Sequence, residues 1–342
     1  MKENYQSIIG IDIAKKVCHL VCLSQSGRVQ WKKKLKRQEV LSFLGNQGLS
    51  LIGIESCGGA HFWGRKLREI GHEVRLIAPK FVKPFVKSNK NDFNDAEAIA
   101  EAVSRENMRF VPIKEEWQQE LQAVHRMRER LIRDRTALVN ELRGILMEYG
   151  EVIPRNIATF VSRMQELLMG GAFENTLLRK FLEQGMEHFR QINWHVDWCD
   201  EQIKRFSKES PVCQRIEKIE GVGPISSTAL ASSIGDFRRF KKSRDFAAFL
   251  GLVPRQFSSG DKTKLAGISK RGDPRLRTLM IHGARAAILR SKQKPDRRSQ
   301  WIQELYKKKG LNLACVALAN KNARTIWALV TREENYEHYL AA

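Results

Sequence analysis

Four acidic side chains in the N-terminal third have types and spacing suited to binding metal ions. Asp92 and Asp95 stand three residues apart in NDFNDAEAIAEAV, where a basic, Asn-rich segment gives way to an Ala-rich helical pattern. On a helix such residues lie about 60° apart, so both carboxylates can face one point. Asp12 ends the apolar run SIIGID, and Glu55 ends LSLIGIE. Carboxylates that converge repel one another unless cations lie between them, and such oxygen-rich clusters suit Mg²⁺ or Mn²⁺.

The order of the predicted elements can bring these acids together. The period-two alternation and the turn QSGR predict a three-stranded meander, followed by a short helix, a strand, a second helix and a further strand. In a twisted sheet of this βββαβαβ order the first and fourth strands can be neighbours, which would place Asp12 beside Glu55. A helix that begins near Asp92 could then pack across that edge.

Each acid also has an ordinary structural explanation. An Asp at a strand end, like Asp12, is often a turn residue, and Glu55 before SCGG can simply be solvated. Asp92 can be a helix N-cap, and Asp95 a first-turn acid stabilised by the helix dipole. The joint arrangement on one βββαβαβ pattern favours the metal site. Two divalent ions about 3.5–4 Å apart can activate a nucleophile and stabilise a leaving oxygen at a phosphodiester.

The charge distribution predicts a polyanionic partner. The 342 residues are enough for two or three domains and carry 60 Lys+Arg against 38 Asp+Glu, a formal net charge of +22. The stretch from Arg238 to Lys309 contains 21 Lys+Arg and 5 Asp+Glu, among Gly, Leu, Phe and Ile residues typical of a folded region. This block predicts binding to nucleic acid, with generic solubility or an acidic membrane surface as the alternatives.

Other residue types argue for a cytoplasmic protein without a membrane segment. No apolar run approaches the ~18 residues of a membrane span, and the N-terminus lacks a signal-peptide pattern. The six cysteines match no zinc spacing, so reduced and mostly packed thiols are expected. The histidines, among them His19, His61, His125 and His282, occur in patterns equally consistent with packing.

The middle of the chain predicts two long helices. From Trp117, apolar residues recur every seven positions, although Arg128 and Arg135 occupy two of the intervening seam positions. A second segment, 189–206, places apolar residues at alternating steps of three and four. The helices could pack as an antiparallel hairpin or pair across a dimer, and a purely intramolecular bundle is the alternative. The two arginines could meet acids or nucleic-acid phosphates.

A glycine-rich turn and a basic run are candidates for binding DNA. IEGVGPISSTALASSIG has the form of a helix-hairpin-helix, in which Gly221 and Gly223 allow close backbone approach. The free N–H groups at the helix start can hold a phosphate. An ordinary tight turn between helices is the alternative. The segment that follows, FRRFKKSRD, adds four cationic candidates, Arg238, Arg239, Lys241 and Lys242.

A second candidate site lies in LVPRQFSSGDKTKLAGISKRGD, where Ser258 and Ser259 precede Gly260 in a loop. A serine hydroxyl is a poor nucleophile until its proton is removed or cations around the phosphate support its attack. Five cationic residues of this segment could supply that positive surround: Arg255, Lys262, Lys264, Lys270 and Arg271. From the residues alone, SSG is most often a flexible turn.

In their order, IIGIDIAKK, GIESCGGAHFWGRKL and KSNKNDFNDAEAIAEAV resemble the RuvC-like catalytic domain of the Asp-Glu-Asp-Asp (DEDD) group of bacterial insertion-sequence transposases. This is the IS-one-ten family, which includes the Piv and MooV site-specific DNA invertases. The resemblance continues into the basic C-terminal part and is weakest across about 110–210 of the sequence. It implies an RNase H fold, and it implies the metal-binding catalytic quartet Asp12, Glu55, Asp92 and Asp95.

The same resemblance implies three domains: a RuvC-like domain over 1–110, a helical coiled-coil spacer over 111–209, and a helical transposase domain over 210–342. It implies a serine nucleophile in the last domain, for which Ser259 is our choice and Ser258 its near neighbour. DNA would be cut and rejoined at a composite site, in a homodimer or homotetramer associated with the nucleoid when bound to DNA. Guidance by a structured bridge RNA is implied by the resemblance alone, since the sequence offers no recognisable RNA module.

Two rival classes remain open at this point. A RuvC-like nuclease, such as a Holliday-junction resolvase, would hydrolyse DNA with metal-activated water and without the serine. A non-catalytic nucleic-acid-binding protein would use the acids only as caps. The target and donor sequences, and whether the product is insertion, excision or inversion, are not encoded in any motif of the chain.

Overall fold

A computed structural model describes residues 5–87, 91–260, 262–334 and 336. The chain divides into two compact units, an N-terminal unit that ends at Glu116 and a C-terminal unit that starts at Trp117. The three-domain division remains a prediction. In the described residues, no helix has the length and apolarity needed to cross a membrane.

The N-terminal unit contains a six-stranded mixed sheet with the order β3-β2-β1-β4-β5-β6. β1 is parallel to β4, and β4 to β5, whereas the pairs β1–β2, β2–β3 and β5–β6 are antiparallel. The predicted meander and the pairing of the first and fourth strands are therefore present. The strands are β1 (Ser7–Ile13), β2 (Val17–Leu23), β3 (Val29–Lys36), β4 (Ser50–Glu55), β5 (Glu73–Ile77) and β6 (Phe110–Val111).

Helices cover both faces of this sheet, because its central strands are apolar on both sides. One core cluster includes Ile9, Ile52 and Trp63, and the other includes Val21, Ile77 and Ile99. The helices are α1 (Arg37–Gly45), α2 (Ala60–Glu69), α3 (Pro79–Val82), a 3₁₀ turn (Lys83–Phe85) and α4 (Asp92–Val103). The arrangement is a three-layer α/β fold, as expected for strands buried on both faces.

The C-terminal unit is mostly helical, as predicted, with one two-stranded hairpin. Its first helices are α5 (Glu116–Glu148), α6 (Ile157–Met169), α7 (Leu177–Glu209), α8 (Pro211–Glu217) and α9 (Pro224–Ile234). A 3₁₀ turn (Phe237–Arg239) and α10 (Ser243–Phe249) precede the hairpin of β7 (Pro254–Ser259) and β8 (Lys262–Ile268). The last elements are α11 (Pro274–Arg290), a 3₁₀ turn (Ser291–Gln293), α12 (Arg297–Lys309) and α13 (Leu311–Arg332).

The two long helices α5 and α7 run antiparallel within one chain. Trp117 stacks on Phe206 with ring centroids 5.3 Å apart, and Arg128 Nε donates to Asp200 at 2.6 Å further along the pair. Arg135 donates to the side chain of Asn193 at 2.8 Å. The two seam arginines therefore meet polar partners inside the helical pair, which explains why the apolar repeat can be interrupted at their positions.

One large apolar cluster forms the core of α8–α13, with Phe237, Phe246 and Ile326 among its fully buried members. All six cysteines of the chain are free thiols, and five of them are buried. This agrees with the expectation of reduced, packed thiols.

Candidate active site

Two glycines that are partners in the sheet let α4 lie close against β1 and β4. Gly10 and Gly53 are opposite each other in the parallel register. A Cβ on Gly10 would lie 2.5 Å from the amide nitrogen of Ala100 and closer still to the carbonyl oxygen of Ala96. A Cβ on Gly53 would lie 2.8 Å from Cβ of Val103. Because only glycine permits this approach, the backbone itself brings the first turn of α4 to the carboxyl end of β1.

Asp12 and Glu55 lie at one edge of the sheet. The parallel pairing of β1 and β4 runs to Ile11 opposite Ile54, and the two acids are the next residue on each strand. Parallel strands end at the same edge of a sheet, so the neighbourhood predicted from the strand order is present. Both side chains are partly buried.

The negative charges of two of the acids act on Glu55. Burial, followed by the negative charges of Asp12 and Asp95, raises the pKa of Glu55 above its ordinary value. Both causes disfavour a charged carboxylate, the first through lost hydration and the second through like-charge repulsion. Residues from β1, β4 and α4 therefore contribute negative charge to one locality.

Asp92 begins α4 but does not cap it. The cap is Asn91, whose side chain accepts a hydrogen bond from the backbone N–H of Phe93 at 2.9 Å. The alternative that assigned the N-cap to Asp92 is therefore wrong. Since Asn91 satisfies the helix start, the carboxylate of Asp92, which is exposed, is not required for capping.

His19 is a member of this site that the sequence did not single out. It lies on β2 directly opposite Asp12 in the antiparallel register and is 5% exposed. Its Nδ1 lies 3.4 Å from Oδ2 of Asp92. The signal was present in the hairpin register, because a meander whose strands pair Ile13 with Cys18 also pairs Asp12 with position 19. Without that register, a histidine in an apolar strand resembles any packed histidine.

The donor set of this locality fits a divalent ion. One ligand atom from each of Asp12, His19 and Asp92 lies within 4.8 Å of the other two. The charges of Asp12 and Asp95 contribute to the raised pKa of Glu55, so these carboxylates lie within electrostatic range of it. Carboxylate oxygens are the ligands preferred by Mg²⁺ and Mn²⁺. The structure thus groups donor atoms of Asp12, His19 and Asp92, and it places Glu55 close enough to feel the charges of Asp12 and Asp95.

The serine pair lies on a strand rather than in a loop. Ser259 is opposite Lys262 and Ser258 opposite Thr263 in the β7–β8 hairpin, which turns at Gly260 with φ 56°. Because side chains alternate along a strand, the two serines point to opposite faces of the hairpin. Gln256 Nε2 donates to Oγ of Ser258 at 2.8 Å. All of β7 is exposed.

The predicted cations of this segment lie on or next to the hairpin. Arg255 is on β7 and Lys264 on β8, and Lys270 and Arg271 follow β8; all four are exposed. The side chain of Lys262 lies outside the described part of the chain. The acids belong to the N-terminal unit, and the serine with its cations belongs to the C-terminal unit.

The two glycines of the GVG turn have different surroundings. Gly221 has φ 87°, and a Cβ there would lie 2.6 Å from the carbonyl carbon of Gly283 on α11. Packing against α11 therefore explains Gly221 without any ligand. Gly223 is the N-cap residue of α9, and a Cβ there would meet nothing within 4 Å. The open backbone at the start of α9 is thus at Gly223.

The basic run after α9 is partly used by the fold. The guanidinium of Arg239 lies over the rings of Phe240 and Phe249, 4.7 and 4.9 Å from their centroids. Arg238 pairs with Glu333 at 2.6 Å, with both side chains largely exposed. The other two members of the run, Lys241 and Lys242, are exposed.

A basic groove on α12 and α13 was not predicted from the sequence. It has a volume of about 960 Å³, and Trp301, Lys321 and Arg324 are among the residues that line it. The ammonium group of Lys321 lies 4.1 Å from the centroid of the Trp301 ring. Burial, followed by the positive charges of Arg298 and Arg324, lowers the pKa of Lys321. The groove therefore contains closely spaced positive charges that a bound anion would neutralise.

Two sequence families match parts of the chain. Residues 9–151 match a transposase family named for the DEDD acids of IS110 elements, and residues 213–301 match the Transposase IS116/IS110/IS902 family. The first range contains the four acids, and the second contains the GVG turn, the basic run and the serine hairpin.

Relatives match the chain over nearly all of its length. A probable family 20 transposase of Pseudomonas aeruginosa is 45% identical, with 96% of this chain and 98% of the relative covered. The transposase for insertion sequence element IS1111A of Coxiella burnetii is 44% identical, covering 96% and 91%. The transposase for IS1328 of Yersinia enterocolitica is 38% identical, covering 95% and 97%.

The family matches and the relatives define an enzyme class, the DNA transposases of insertion sequences, and the α/β unit with its acids is consistent with it. Within that class the chain belongs to the IS116/IS110/IS902 family, as a DEDD transposase. The family implies DNA as a partner and a divalent metal ion as a cofactor, and the acidic site is the candidate place for that ion.

Proposed function

We propose that this transposase cleaves and rejoins DNA strands with the acidic quartet Asp12, Glu55, Asp92 and Asp95 and with Ser259 as the nucleophile. The observation that carries the proposal is the convergence of acids from β1, β4 and α4, with a raised pKa of Glu55. The strand order and the place of the acids also support assigning the N-terminal unit to the RuvC-like class with an RNase H fold.

The quartet would hold divalent ions, Mg²⁺ or Mn²⁺, at the scissile phosphate. Bound ions supply neutralisation of the phosphate charge and stabilisation of the leaving oxygen. The role of Asp12 and Glu55 is to fix donor oxygens on rigid strands, and that of Asp92 and Asp95 is to present two more from the first turns of α4. Rigid elements suit this task because the donors must keep their spacing within a fraction of an ångström.

Ser259 would form and later release a covalent link to DNA. Its Oγ attacks phosphorus and one of the two phosphodiester P–O bonds breaks, so that the DNA end on that side leaves with a hydroxyl while the phosphate joins the DNA end on the other side to the serine. The hydroxyl proton of Ser259 passes to solvent, and the leaving oxygen takes up a proton. A hydroxyl of the exchanged strand then attacks the phosphoserine, which restores a phosphodiester and frees the serine.

Cationic side chains would stabilise the pentavalent phosphate and hold the backbone of the nucleic acid. Arg255, Lys264, Lys270 and Arg271 lie near the serine in sequence and are exposed. Preorganised positive charge at a developing anion is a large contribution to catalysis. Lys241, Lys242 and the N–H groups at Gly223 are further candidates for phosphate contacts, whereas Gly221, Arg238 and Arg239 already have structural partners.

We also propose that a structured bridge RNA encoded by the element selects the DNA, and that a homodimer or homotetramer is the active form. The family resemblance carries this part of the proposal. The groove with Trp301, Lys321 and Arg324 supports it, because a cationic groove with aromatic side chains suits a nucleic-acid strand. Omission of RNA copied from the sequence flanking the gene is expected to abolish recombination of matched DNA by the purified protein.

A denaturing gel that traps protein–DNA adducts tests the serine mechanism. Wild-type protein with a divalent ion is expected to give an adduct, and Ser259→Ala to give none. Ser258→Ala is the matched control on the opposite face of the same strand and is expected to keep the adduct. Intact recombination by Ser259→Ala together with loss in Asp12→Asn would instead assign the chain to the metal-dependent nuclease or resolvase alternative.

A further inference from the structure

We infer that His19 is a nitrogen ligand of the acidic metal site and that it biases one ion position toward Mn²⁺ and related transition ions over Mg²⁺. The inference rests on the proposed metal-binding role of the acids and extends it by a donor of different chemistry. Nothing in the DEDD pattern, which consists of carboxylates only, assigns this residue.

The first argument is the unsatisfied imidazole nitrogen. Nδ1 of His19 is fully buried and has no hydrogen-bond partner among the described residues. A buried polar atom without a partner is unfavourable and rare, so it needs an explanation. His72 provides the contrast in the same unit: it is equally buried, its Nδ1 accepts from the Ser50 N–H at 3.3 Å, and its Nε2 lies 3.0 Å from the Leu44 carbonyl oxygen.

The second argument is the distance between donors. One ligand atom from each of Asp12, His19 and Asp92 lies within 4.8 Å of the other two. Ligands on opposite sides of one ion lie up to about 4.4 Å apart, since each bond is roughly 2.0–2.2 Å long. A movement of a few tenths of an ångström therefore converts this triad into a coordination shell. The exposed carboxylate of Asp92 is free to make such a movement by a change of rotamer.

Two simpler roles for His19 explain less. Packing accounts for the ring, which meets Phe93 edge to face at 4.9 Å between centroids, but not for Nδ1. An ion pair with Asp92 accounts for the 3.4 Å separation, yet the contact lacks the geometry of a hydrogen bond. A metal ion would use the nitrogen and both neighbouring carboxylates at once.

The choice of ion follows from the donor type. Mg²⁺ prefers oxygen ligands and keeps several waters, whereas imidazole nitrogen suits transition ions. One nitrogen among several carboxylate oxygens leaves Mg²⁺ able to bind but lowers its relative affinity. Mn²⁺ accepts both donor types and serves as a paramagnetic probe.

The test is pulsed EPR of Mn²⁺ bound to the full-length protein, without DNA or RNA. We expect hyperfine coupling to an imidazole nitrogen in the wild type, replaced by ¹⁵N coupling when histidine is ¹⁵N-labelled. His19→Asn places an amide oxygen near the position of Nδ1, so it is expected to remove the coupling. It is also expected to lower the ratio of Mn²⁺ to Mg²⁺ affinity by about tenfold or more. His72→Asn is the matched control and is expected to change neither.

The outcomes separate this inference from the proposed function. One outcome is that Mn²⁺ binds the wild type, that Asp12→Asn abolishes this binding, and that no nitrogen coupling appears. The acidic metal site is then supported, and the proposed role of His19 is wrong. If Mn²⁺ does not bind the wild type, both are wrong. Because the wild-type spectrum alone decides the coupling, a folding defect in His19→Asn does not leave the inference untested.

Discussion

Replacing Gly10 with alanine is expected to inactivate the transposase while leaving it folded. The added Cβ would lie 2.5 Å from the Ala100 amide nitrogen and closer to the Ala96 carbonyl oxygen, whereas real Cβ contacts are longer than 3.0 Å. Both opposing atoms are backbone, so no side chain can rotate away. The helix α4 must recede from β1, and Asp92 and Asp95 must recede with it.

The size of the effect follows from that displacement. Clearing the nitrogen alone requires about 0.5 Å, and the carbonyl oxygen requires more, so α4 moves by on the order of 1 Å. Overpacking of this kind typically destabilises a protein by about 1–3 kcal/mol. A misplacement of about 1 Å at catalytic groups can reduce the rate about 100-fold. Stability and activity therefore respond unequally.

Activity is measured as strand cleavage or recombination per folded protein, and folding as the unfolding transition in denaturant. Gly45→Ala is the control, because a Cβ at Gly45 meets nothing within 4 Å in the same unit. We expect the control to retain full activity. Wild-type activity in folded Gly10→Ala would refute the argument that glycine-dependent seating of α4 positions the acids.

Three further predictions concern the metal site, a buried histidine and the GVG turn. Metal-free Glu55→Gln should be more stable than the metal-free wild type at neutral pH, because burial and the charges of Asp12 and Asp95 raise the pKa of Glu55 in the fold. The stability that Glu55 contributes in the wild type is fully present below its unfolded pKa and is lost as pH rises through its folded pKa. A divalent ion at 100 times its Kd should add about 2.7 kcal/mol to the wild type and less to Glu55→Gln, measured as Tm with and without EDTA. Burial lowers the pKa of His125 to about 3, so the wild type should lose stability as pH falls from about 6.5 toward 3, by up to about 1.4 kcal/mol per pH unit, as followed by denaturant melts. Gly221→Ala should unfold the C-terminal unit or destabilise it by several kcal/mol because it combines a left-handed φ with a backbone clash, whereas Gly223→Ala should fold normally, as judged by circular dichroism.

Each of these has its own control and contrary result. An unchanged Tm of metal-free Glu55→Gln would show that carboxylate repulsion is not felt in the fold. For His125, the variant His125→Gln should flatten the acid limb of the stability curve, and an equally steep limb in the variant would assign the loss to other groups. A stable, cooperative Gly221→Ala would show that the turn tolerates a side chain against α11.

The sequence by itself determined much of this protein. Strand periodicity and turn residues fixed the meander and the helices, because side-chain alternation and glycine or proline placement are local properties. The positions of the acids at strand ends followed from the same patterns. The charge block predicted a nucleic-acid partner, and the resemblance of the ordered motifs around the four acids indicated the family.

Only the tertiary structure decided which of those residues meet. His19 joins the acids through the hairpin register, Gly10 lies against the backbone of α4 and Gly53 against its side chains, and Gly221 packs on Gly283 of α11. The N-cap of α4 is Asn91 and not Asp92, and the serine pair lies on a strand. These features depend on the distances between segments that are remote along the chain, and a local pattern of residue types carries no information on those distances.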